Sequence, residues 1–501
     1  RVSVDGDTAA ANEALLTDLQ RGVTSIELEG SNLGADRLAA VLDGVLLDLA
    51  PVALRTTDDG VDAARALLEL VAEADIAPAS YVADLGCDPI GALARGGALA
   101  HPIDEAMVRV AGLAAEVAQT HPLVRVVRAD GTIFAEAGAS PALELATIVA
   151  AGVAYLRSLT NAGLDADTAL DSMLLTVSVG TDQFGDICKL RALRVLWGRV
   201  AEVLGVGEQP ATVQAVTNTA VLTVRDPWVN MLRTTIGCFA GAVGGADVIT
   251  VTPFDAQLGD PDQLGRRVAR NTQLALMEES HMHRVTDPGG GSWYVEHLTD
   301  ELADRAWAEF QGIERAGGMI AALRTGEVQG RIAAQWDDLR SQVATRTRPI
   351  TGVSEFANLD EALPERPGHR PAVLHDAGVE VTPLPVRRLA EEYERLRDRA
   401  AAATAEPQVF LANLGPVATH TARASWARNF FEAGGIRAIG NDGYDDDDTL
   451  AAAFADSGCP LAVLCSSDAV YEQRAATAAA QLRRAGAARI YLAGHPGDRR
   501  E

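Results

Sequence analysis

The stretch LLTVSVGTDQFGDICKLRALRVLWGRV, residues 174–200, contains the two elements that decide the fold. Its first six residues combine leucine and valine with small hydroxyl side chains, a pattern typical of a buried strand. The remainder begins with small and acidic residues and continues with apolar positions at helical spacing, which predicts a helix. A second β-branched run, TVQAVTN at 212–218, follows. Strands separated by a helix run parallel, so this stretch is a β/α unit of a parallel sheet.

The same alternation of strand and helix extends to both sides of this unit. The candidate strands are 25–30, 51–56, 81–86, 125–134, 174–179, 212–218, 247–254 and 284–287. The helical stretches that follow them are 35–47, 61–73, 104–118, 141–159, 185–203, 228–241, 261–280 and 295–317. Eight β/α units over roughly 290 residues match a closed (β/α)8 TIM barrel in number and length, and an open doubly wound sheet is the alternative. We assign residues 1–319 to the barrel.

Two further segments are predicted after the barrel. Residues 320–406 combine charged helical stretches with a proline-rich part, which is typical of a linker. Residues 407–501 return to an α/β pattern and predict a small doubly wound, flavodoxin-like domain. Its strands are predicted at 408–415, 436–440, 461–467 and 489–494. A five-stranded version needs one more β/α unit, so we expect the domain to be cut short at its C-terminus.

Composition narrows the classes of function. A net charge of −26 repels a phosphate backbone, so no nucleic-acid partner is expected. No long uninterrupted apolar run and no signal-like opening are present, which predicts a cytoplasmic protein without a membrane partner. The five scattered cysteines form no CxxC pair and indicate free thiols in a reducing compartment. Lys189, the only lysine, lies within a predicted helix, which argues against Schiff-base chemistry.

Polar side chains at the predicted strand ends are the candidates for catalysis, because chemistry in a barrel takes place at the carboxyl ends of its strands. They are Asp84, Asp88, Glu136, Thr181, Asp182, Asn218, Asp255 and Asp287. No histidine is among them, and no set shows metal-ligand spacing. We therefore expect these acids to be helix caps and predict no metal site.

Three loops carry weaker signals. His281 and His283 stand two apart near the end of a predicted helix, where favourable charge explains them better than a metal pair does. The run DPGGGS at 287–292 follows the eighth predicted strand, a position where many barrels bind phosphate, although a tight turn explains it equally well. Residues 413–420 form the ligand-binding loop of a doubly wound domain, without a dinucleotide or P-loop motif.

Several long blocks, in order, resemble a known family. They are FAEAGASPALELA (134–146), ICKLRALRVLW (187–197), RDPWVNMLRTTIGCFAGAVGGADVITVTPFD (225–255), ARNTQL (269–274) and DPGGGSWYVE (287–296). These blocks closely resemble the adenosylcobalamin-dependent acyl-CoA mutases, the methylmalonyl-CoA mutase family, and the resemblance spans nearly the whole chain. It implies a substrate-binding barrel and a smaller domain that carries the corrinoid on the barrel's mouth. There, homolysis of a cobalt–carbon bond produces a deoxyadenosyl radical.

The resemblance places the family's cobalt-ligand motif, Asp-x-His-x-x-Gly, in the first loop of the small domain. The corresponding positions are Val417, Thr419 and Ala422, and none keeps the family's residue. Neither valine nor threonine supplies an imidazole nitrogen or orients one. His420 is one residue away and would lack the carboxylate partner. The resemblance therefore implies that no cofactor is bound by this chain.

The resemblance also locates a barrel histidine that hydrogen-bonds the substrate thioester carbonyl, in a His-x-Gln-Thr-Ser-Gly-Trp context. The matching segment is 214–220, where Gln214 replaces that histidine and the Gly-Trp pair is missing. An amide still donates a hydrogen bond, but the altered surroundings imply a changed pocket. We predict no catalytic residue in this chain. Whether the barrel is filled or hollow is left open by the sequence.

Loss of both sites with retention of the packing motifs is similar to the small subunits of the heterodimeric bacterial enzymes in this family. The resemblance implies a non-catalytic subunit that stabilises a homologous catalytic large subunit. That partner would carry adenosylcobalamin and interconvert methylmalonyl-CoA and succinyl-CoA. Two alternatives remain open: a self-sufficient acyl-CoA mutase with His420 as an irregular cobalt ligand, and an acyl-CoA-binding regulatory module.

Overall fold

The computed structural model describes residues 1–207, 209–368 and 378–494, which form two compact units. The first unit comprises residues 1–222, 230–340 and 365–388. The second unit comprises residues 223–229, 341–364 and 389–494 of the described chain. The segment predicted as a linker, 320–406, is divided between the two units.

The first unit is built on an eight-stranded parallel sheet whose strands follow one another in chain order. The strands are β1 (Val2–Ser3), β2 (Ile26–Gly30), β3 (Val52–Thr56), β4 (Ala83–Cys87), β5 (Val124–Asp130), β6 (Met173–Val179), β7 (Val213–Thr217) and β8 (Val248–Thr250). A doubly wound sheet reverses its strand order, whereas this one does not. Gln214 on β7 hydrogen-bonds Glu27 on β2 at 3.2 Å, so the sheet curls until strands five places apart face each other. This curled sheet is consistent with the predicted TIM barrel.

Helices connect the successive strands of this sheet, and further helices follow its last strand. They are α1 (Thr8–Gln20), α2 (Ala35–Val41), α3 (Val61–Glu73), α4 (Pro89–Gly96), α5 (Ile103–Thr120), α6 (Thr132–Glu136), α7 (Pro141–Asn161), α8 (Ala166–Asp171), α9 (Gln183–Val203), α10 (Val229–Val243), α11 (Gln263–Leu274), α12 (Trp293–Arg315), α13 (Met319–Arg324) and α14 (Glu327–Ala344). Helix α7 is long and apolar enough to cross a membrane by length and composition alone. It packs on β5 and β6, and 72% of its apolar window is buried, as in the core helix of a soluble domain.

One predicted strand of the barrel is wrong. Residues 284–287 form no strand, because a 3-10 turn occupies Met282–Arg284 and Val285 is exposed, so its β-branched side chain has no buried face to pack on. The sheet instead obtains its eighth strand from Val2–Ser3, which is too short for a periodic pattern to reveal. Asp287 and the glycine loop after it therefore do not follow a strand of the sheet.

The second unit contains a small parallel sheet. Its elements are α15 (Glu391–Ala401), β9 (Gln408–Asn413), α16 (Val417–Ala433), β10 (Arg437–Ile439), α17 (Asp447–Ser457), β11 (Leu461–Cys465), α18 (Asp468–Arg484) and β12 (Arg489–Leu492). The strand order is β10-β9-β11-β12, so the winding direction reverses beside β9. This is the order of the first four strands of a flavodoxin-like sheet, and it creates a crevice at the carboxyl ends of β9 and β11.

Candidate functional site

The side chain of Gln214 is held inside the barrel by hydrogen bonds to three other strands. It is buried on β7. Its amide oxygen accepts a hydrogen bond from Thr176 Oγ1 on β6 at 3.1 Å. Its amide nitrogen donates to Glu27 Oε1 on β2 at 3.2 Å and to Thr250 Oγ1 on β8 at 3.0 Å. The polar atoms at the position of the family's carbonyl-binding histidine are thus used within the protein.

Beside Gln214 lies a buried ionic triad. Arg128 on β5 is 1% exposed and donates to Glu27 at 2.9 Å and to Asp84 on β4 at 2.7 Å. Burial alone would raise the pKa of Glu27, but Arg1 and Arg128 outweigh it and hold that pKa well below its usual range. Burial does raise the pKa of Asp84, although Arg128 opposes the shift. Charged groups in such a place remain only where every one of them is paired.

Two further polar contacts lie toward the carboxyl ends of the strands. Arg55 on β3 forms an ion pair with Asp130 on β5 at 2.7 Å and donates to Thr132 on α6 at 3.0 Å. One helical turn after Thr132, Glu136 accepts a hydrogen bond at 2.7 Å from Thr219, which follows β7. Together with the contacts of Gln214 and Arg128, these side chains link strands that are not neighbours in the sheet, so side chains occupy the interior of this unit at several levels.

Sequence reasoning missed the interior network, although a signal was present. Glu27 lies in the middle of the predicted strand SIELEG, and Arg128 lies within RVVRADGTIF. A charged residue in the middle of a buried strand needs a partner of opposite charge, and such partners come from other strands. The missing information was which strands face each other across the barrel.

Most of the polar side chains predicted at strand ends are held in local structure. Three cap the helix or turn that follows them: Asp88, Asp182 and Asn218. Three others form an ion pair with an arginine: Glu136 with Arg95, Asp255 with Arg366, and Asp287 with Arg191. Asp84 belongs to the ionic triad, and Thr181 lies exposed in a turn. The structure does not assemble them into a cluster that could perform acid–base chemistry.

Asp88 is the one predicted acid whose environment strongly favours its protonated form. Its carboxylate accepts hydrogen bonds from Tyr155 at 2.5 Å and from the Gly91 backbone amide at 3.0 Å. Burial, with the negative charge of Asp130 nearby, raises the pKa of Asp88 to about 7. The side chain anchors the first turn of α4, so its protonation state is linked to stability.

We expect Asp88→Asn to change how stability depends on pH. Folded Asp88 keeps its proton up to a higher pH than the unfolded chain, so the contribution of Asp88 to the stability of the wild-type protein falls as pH rises from about 4 to about 7. Asparagine caps helices as well as aspartate does and carries no titrating proton. The free energy of unfolding of the variant, minus that of the wild type, should therefore increase by roughly 2–4 kcal/mol between pH 4 and pH 8.

Urea unfolding measured across this pH range checks the prediction. Asp182→Asn is the matched control, because Asp182 also caps a helix but lies exposed. Parallel pH profiles for Asp88→Asn and the wild-type protein would show that Asp88 does not titrate differently in the folded state.

A second buried ionic cluster surrounds the only lysine. The Lys189 ammonium group lies 3.0 Å from Glu144, 3.0 Å from Asp186 and 3.2 Å from Ser178 Oγ at the end of β6. Burial alone would lower the pKa of Lys189, but Asp186 and Glu144 outweigh it and raise that pKa, so the group stays charged. The cluster joins α7, α9 and β6. Its arrangement is structural, because all of its members are buried.

The histidine pair and the glycine loop make contacts within the chain. His283 contacts the Met277 backbone oxygen at 3.0 Å, while His281 adopts a left-handed conformation outside the helix. The Gly291 amide, which would have to point at a phosphate, donates to Glu296 at 2.8 Å. Across the described parts of the chain, no group of three or more His, Cys, Asp or Glu side chains is arranged to hold a metal ion.

In the second unit, the positions of the cobalt-ligand motif lie in the first turns of α16. Val417 and Ala422 are exposed, and Thr419 Oγ1 donates to the Pro416 backbone oxygen at 2.7 Å. His420 is buried, with Nε2 3.3 Å from the Asp442 backbone oxygen. Its Nδ1 finds no hydrogen-bond partner among the described residues. Its ring faces the loop after β10.

The crevice beside β9 is crossed by side chains of this unit. Arg423 of α16 donates to the Ser466 backbone oxygen at 2.8 Å and to Asp468 at 2.7 Å. Its guanidinium also lies over the ring of Tyr471, with the carbon 4.9 Å from the ring centre. A side chain on Gly494 would meet this guanidinium at 3.2 Å. Among the described residues, this lining does not fit a corrinoid held from below by an imidazole, because the ring of His420 faces the loop after β10 instead.

A curled eight-stranded parallel sheet, followed by a small doubly wound sheet with its crevice at the switch point, is the two-part architecture that the sequence resemblance to acyl-CoA mutases, a kind of isomerase, implies. The chain belongs to the methylmalonyl-CoA mutase family, whose model matches residues 22–414. Family membership agrees with the resemblance carried by the sequence blocks.

Individual relatives sharpen the assignment. The methylmalonyl-CoA mutase small subunit of Streptomyces virginiae is 48% identical over 495 residues, covering 97% of this chain and 79% of that protein. The small subunit of Propionibacterium freudenreichii subsp. shermanii is 36% identical over 501 residues, covering 98% and 76%. The methylmalonyl-CoA mutase large subunit of Porphyromonas gingivalis W83 is 30% identical over 260 residues, covering 51% of this chain and 36% of that protein. Small subunits therefore match nearly the whole chain.

Proposed function

We propose that this chain is the non-catalytic small subunit of an adenosylcobalamin-dependent methylmalonyl-CoA mutase. A homologous large subunit carries the cofactor and interconverts methylmalonyl-CoA and succinyl-CoA by radical rearrangement. The observation that carries the proposal is the engagement of Gln214 with three other strands inside a filled barrel. An acyl thioester entering there would have to break these hydrogen bonds and separate Arg128 from its carboxylates. Leaving these buried charges unpaired would cost roughly several kcal/mol.

The second unit supports the same proposal. When bound, adenosylcobalamin supplies the carbon-centred radical of this chemistry. On this chain, Val417 and Thr419 offer no imidazole, and the ring of His420 faces the loop after β10. An irregular ligand at His420 would require the ring to leave its buried position and α16 to rearrange. Hence the radical is assigned to the partner subunit.

The work of this chain is then physical. It binds the large subunit, covers part of its surface and shifts its folding equilibrium toward the native state by mass action. Obligate interfaces of this kind bury roughly 2,000–5,000 Å² in total. We assign the complex to the cytoplasm, without nucleic acid or membrane as a partner.

The test is a titration of the purified chain with adenosylcobalamin, followed by the absorption spectrum of the cofactor. We expect no binding at micromolar concentration and no turnover of methylmalonyl-CoA. Addition of the large subunit from the same source should yield an active complex that contains one cofactor per pair of subunits. A tight complex between the isolated chain and the cofactor, with the spectrum of a displaced lower base, would overturn the proposal.

Two further arms separate the alternatives. Turnover by the isolated chain that disappears in His420→Ala would establish a self-sufficient mutase. Heat released when CoA esters are titrated into the isolated chain would indicate an acyl-CoA-binding module. The filled barrel predicts neither result.

A further inference from the structure

A group of aromatic side chains is exposed where α9 and α12 begin. Trp293 is 93% exposed, Tyr294 is 60% exposed and Phe184 is 48% exposed. The rings of Phe184 and Tyr294 meet edge to face, with centroids 5.7 Å apart. The first turns of the two helices therefore adjoin. We call these three residues the aromatic rim.

The aromatic rim stands on a small hydrophobic core of its own, separate from the main core of the barrel. This core unites α9, α10 and α12 through Ile187, Cys188, Ala240, Val243 and Val295. Val295, directly after Tyr294, and Ile187, three residues after Phe184, are thus both packed in this core. Aromatic side chains on a packed base lose little conformational freedom when they are covered by a partner.

The loop before α12 is held in place by ionic contacts. Arg191 of α9 pairs with Asp287 and, at 2.8 Å, with Glu296. Asp287 and His281 both adopt left-handed conformations, with φ values of 47° and 55°. Such backbone conformations are uncommon for residues other than glycine, although aspartate and histidine adopt them more often than most residues do. The charges beside the rim are paired with each other, so covering the rim leaves none of these three groups unpaired.

We propose that the aromatic rim is a docking site for the large subunit of the mutase. This inference rests on the proposed function. Interface centres are enriched in tryptophan, tyrosine and phenylalanine, and they carry most of the binding energy. The three side chains expose on the order of 400 Å². This is about half of the roughly 800 Å² that each partner buries in a standard interface, a suitable size for its apolar centre.

The choice of occupant follows from the relationship between the subunits. The large subunit of the family is related in sequence to this chain, so the two subunits are expected to share a fold. Two chains of one fold pair most readily about an approximate twofold axis, where the same surface of each chain faces the other. The three side chains of the rim are themselves uncharged, so they bring no like charges together when the same surfaces meet.

The test measures the affinity of the full chain for the purified large subunit. Trp293→Ser combined with Tyr294→Ser should weaken the complex at least 30-fold. The matched control, Leu46→Ser combined with Leu49→Ser, replaces side chains that are 65% and 70% exposed elsewhere on the first unit, and should leave affinity unchanged. Both variants should keep the wild-type circular dichroism spectrum and unfolding midpoint, because the replaced side chains are largely exposed.

Hydroxyl-radical footprinting provides the second measurement. The peptide containing Trp293 should be oxidised readily in the free chain and protected in the complex. Unchanged affinity of the rim variant would overturn the docking site while leaving the proposed function intact. So would protection already present in the free chain, which would place another segment or a second copy over the rim. Failure of the wild-type chain to bind the large subunit at all would instead overturn the proposed function, and this inference with it.

Discussion

Replacing Arg128 with alanine should lower the free energy of unfolding by ~3–5 kcal/mol, a large part of the stability of an ordinary domain. The guanidinium of Arg128 is 1% exposed and pairs with Glu27 and Asp84. Without it, both carboxylates remain buried near each other, and Asp84 loses its arginine partner. Urea titration followed by far-UV circular dichroism measures the loss.

The matched control is Arg65→Ala. Arg65 forms two hydrogen bonds with Glu116 on the outside of the barrel, where the side chains are 47% and 60% exposed. Exposed pairs of this kind contribute less than ~1 kcal/mol. If Arg128→Ala fails to fold, combining Arg128→Met with Glu27→Gln and Asp84→Asn removes the unpaired charges and should recover part of the stability. A loss as small as that of Arg65→Ala would contradict the buried triad.

Replacing Lys189 with methionine should lower the free energy of unfolding by a similar amount, about 3–5 kcal/mol at neutral pH. The change removes the cation between Glu144 and Asp186 while it keeps most of the side-chain volume. Burial raises the pKa of Glu144 even with Lys189 beside it, and the variant loses that opposing charge. The folded variant therefore holds a proton that the unfolded chain releases above about pH 4.3. The free energy of unfolding of the variant should therefore fall further below that of the wild type at pH 8 than at pH 5.

The control for Lys189→Met lies on the same helix. Arg199 pairs with Glu202 three residues later, and both side chains are more than half exposed, so Arg199→Met should cost less than ~1 kcal/mol. Unfolding at several pH values separates the two variants. In the wild-type protein, Lys189 should react with amine-directed reagents only as fast as the protein unfolds. Two results would show that the cluster is open to water. One is a stability difference between Lys189→Met and the wild type that does not vary with pH, and the other is rapid labelling of Lys189 in the native protein.

Much of the fold was predictable because its strands and helices have local patterns of apolar residues in the sequence. Seven of the eight predicted barrel strands occur, as do the four strands of the second unit, since each has a run of apolar side chains that must be buried. The prediction failed at 284–287, where the same β-branched signal lies on an exposed turn. It also missed Val2–Ser3, a two-residue strand whose place comes from pairing with β2. Pairing between two strands depends on the whole sheet, so a two-residue strand has no periodic pattern in the sequence that would predict it.

For the candidate site, the sequence predicted only which of the family's functional residues are replaced in this chain. The resemblance directed attention to Gln214, Val417 and Thr419 by position. It could not show that Gln214 hydrogen-bonds Glu27, 187 residues earlier in the chain, or that His420 turns toward Asp442. The sequence placed Lys189 within a predicted helix but could not show that it is the centre of a buried ionic cluster.

The sequence by itself determined the family and the succession of β/α units, because ordered motifs and hydrophobic periodicity are local in the chain. Only the tertiary structure decided that the barrel is filled. Glu27, Asp84, Arg128 and Gln214 come from four different strands, and whether their side chains meet depends on how tightly the sheet curls. Once these side chains are buried in the low-dielectric interior they must contact one another, because burying any of them without a partner would destabilise the fold.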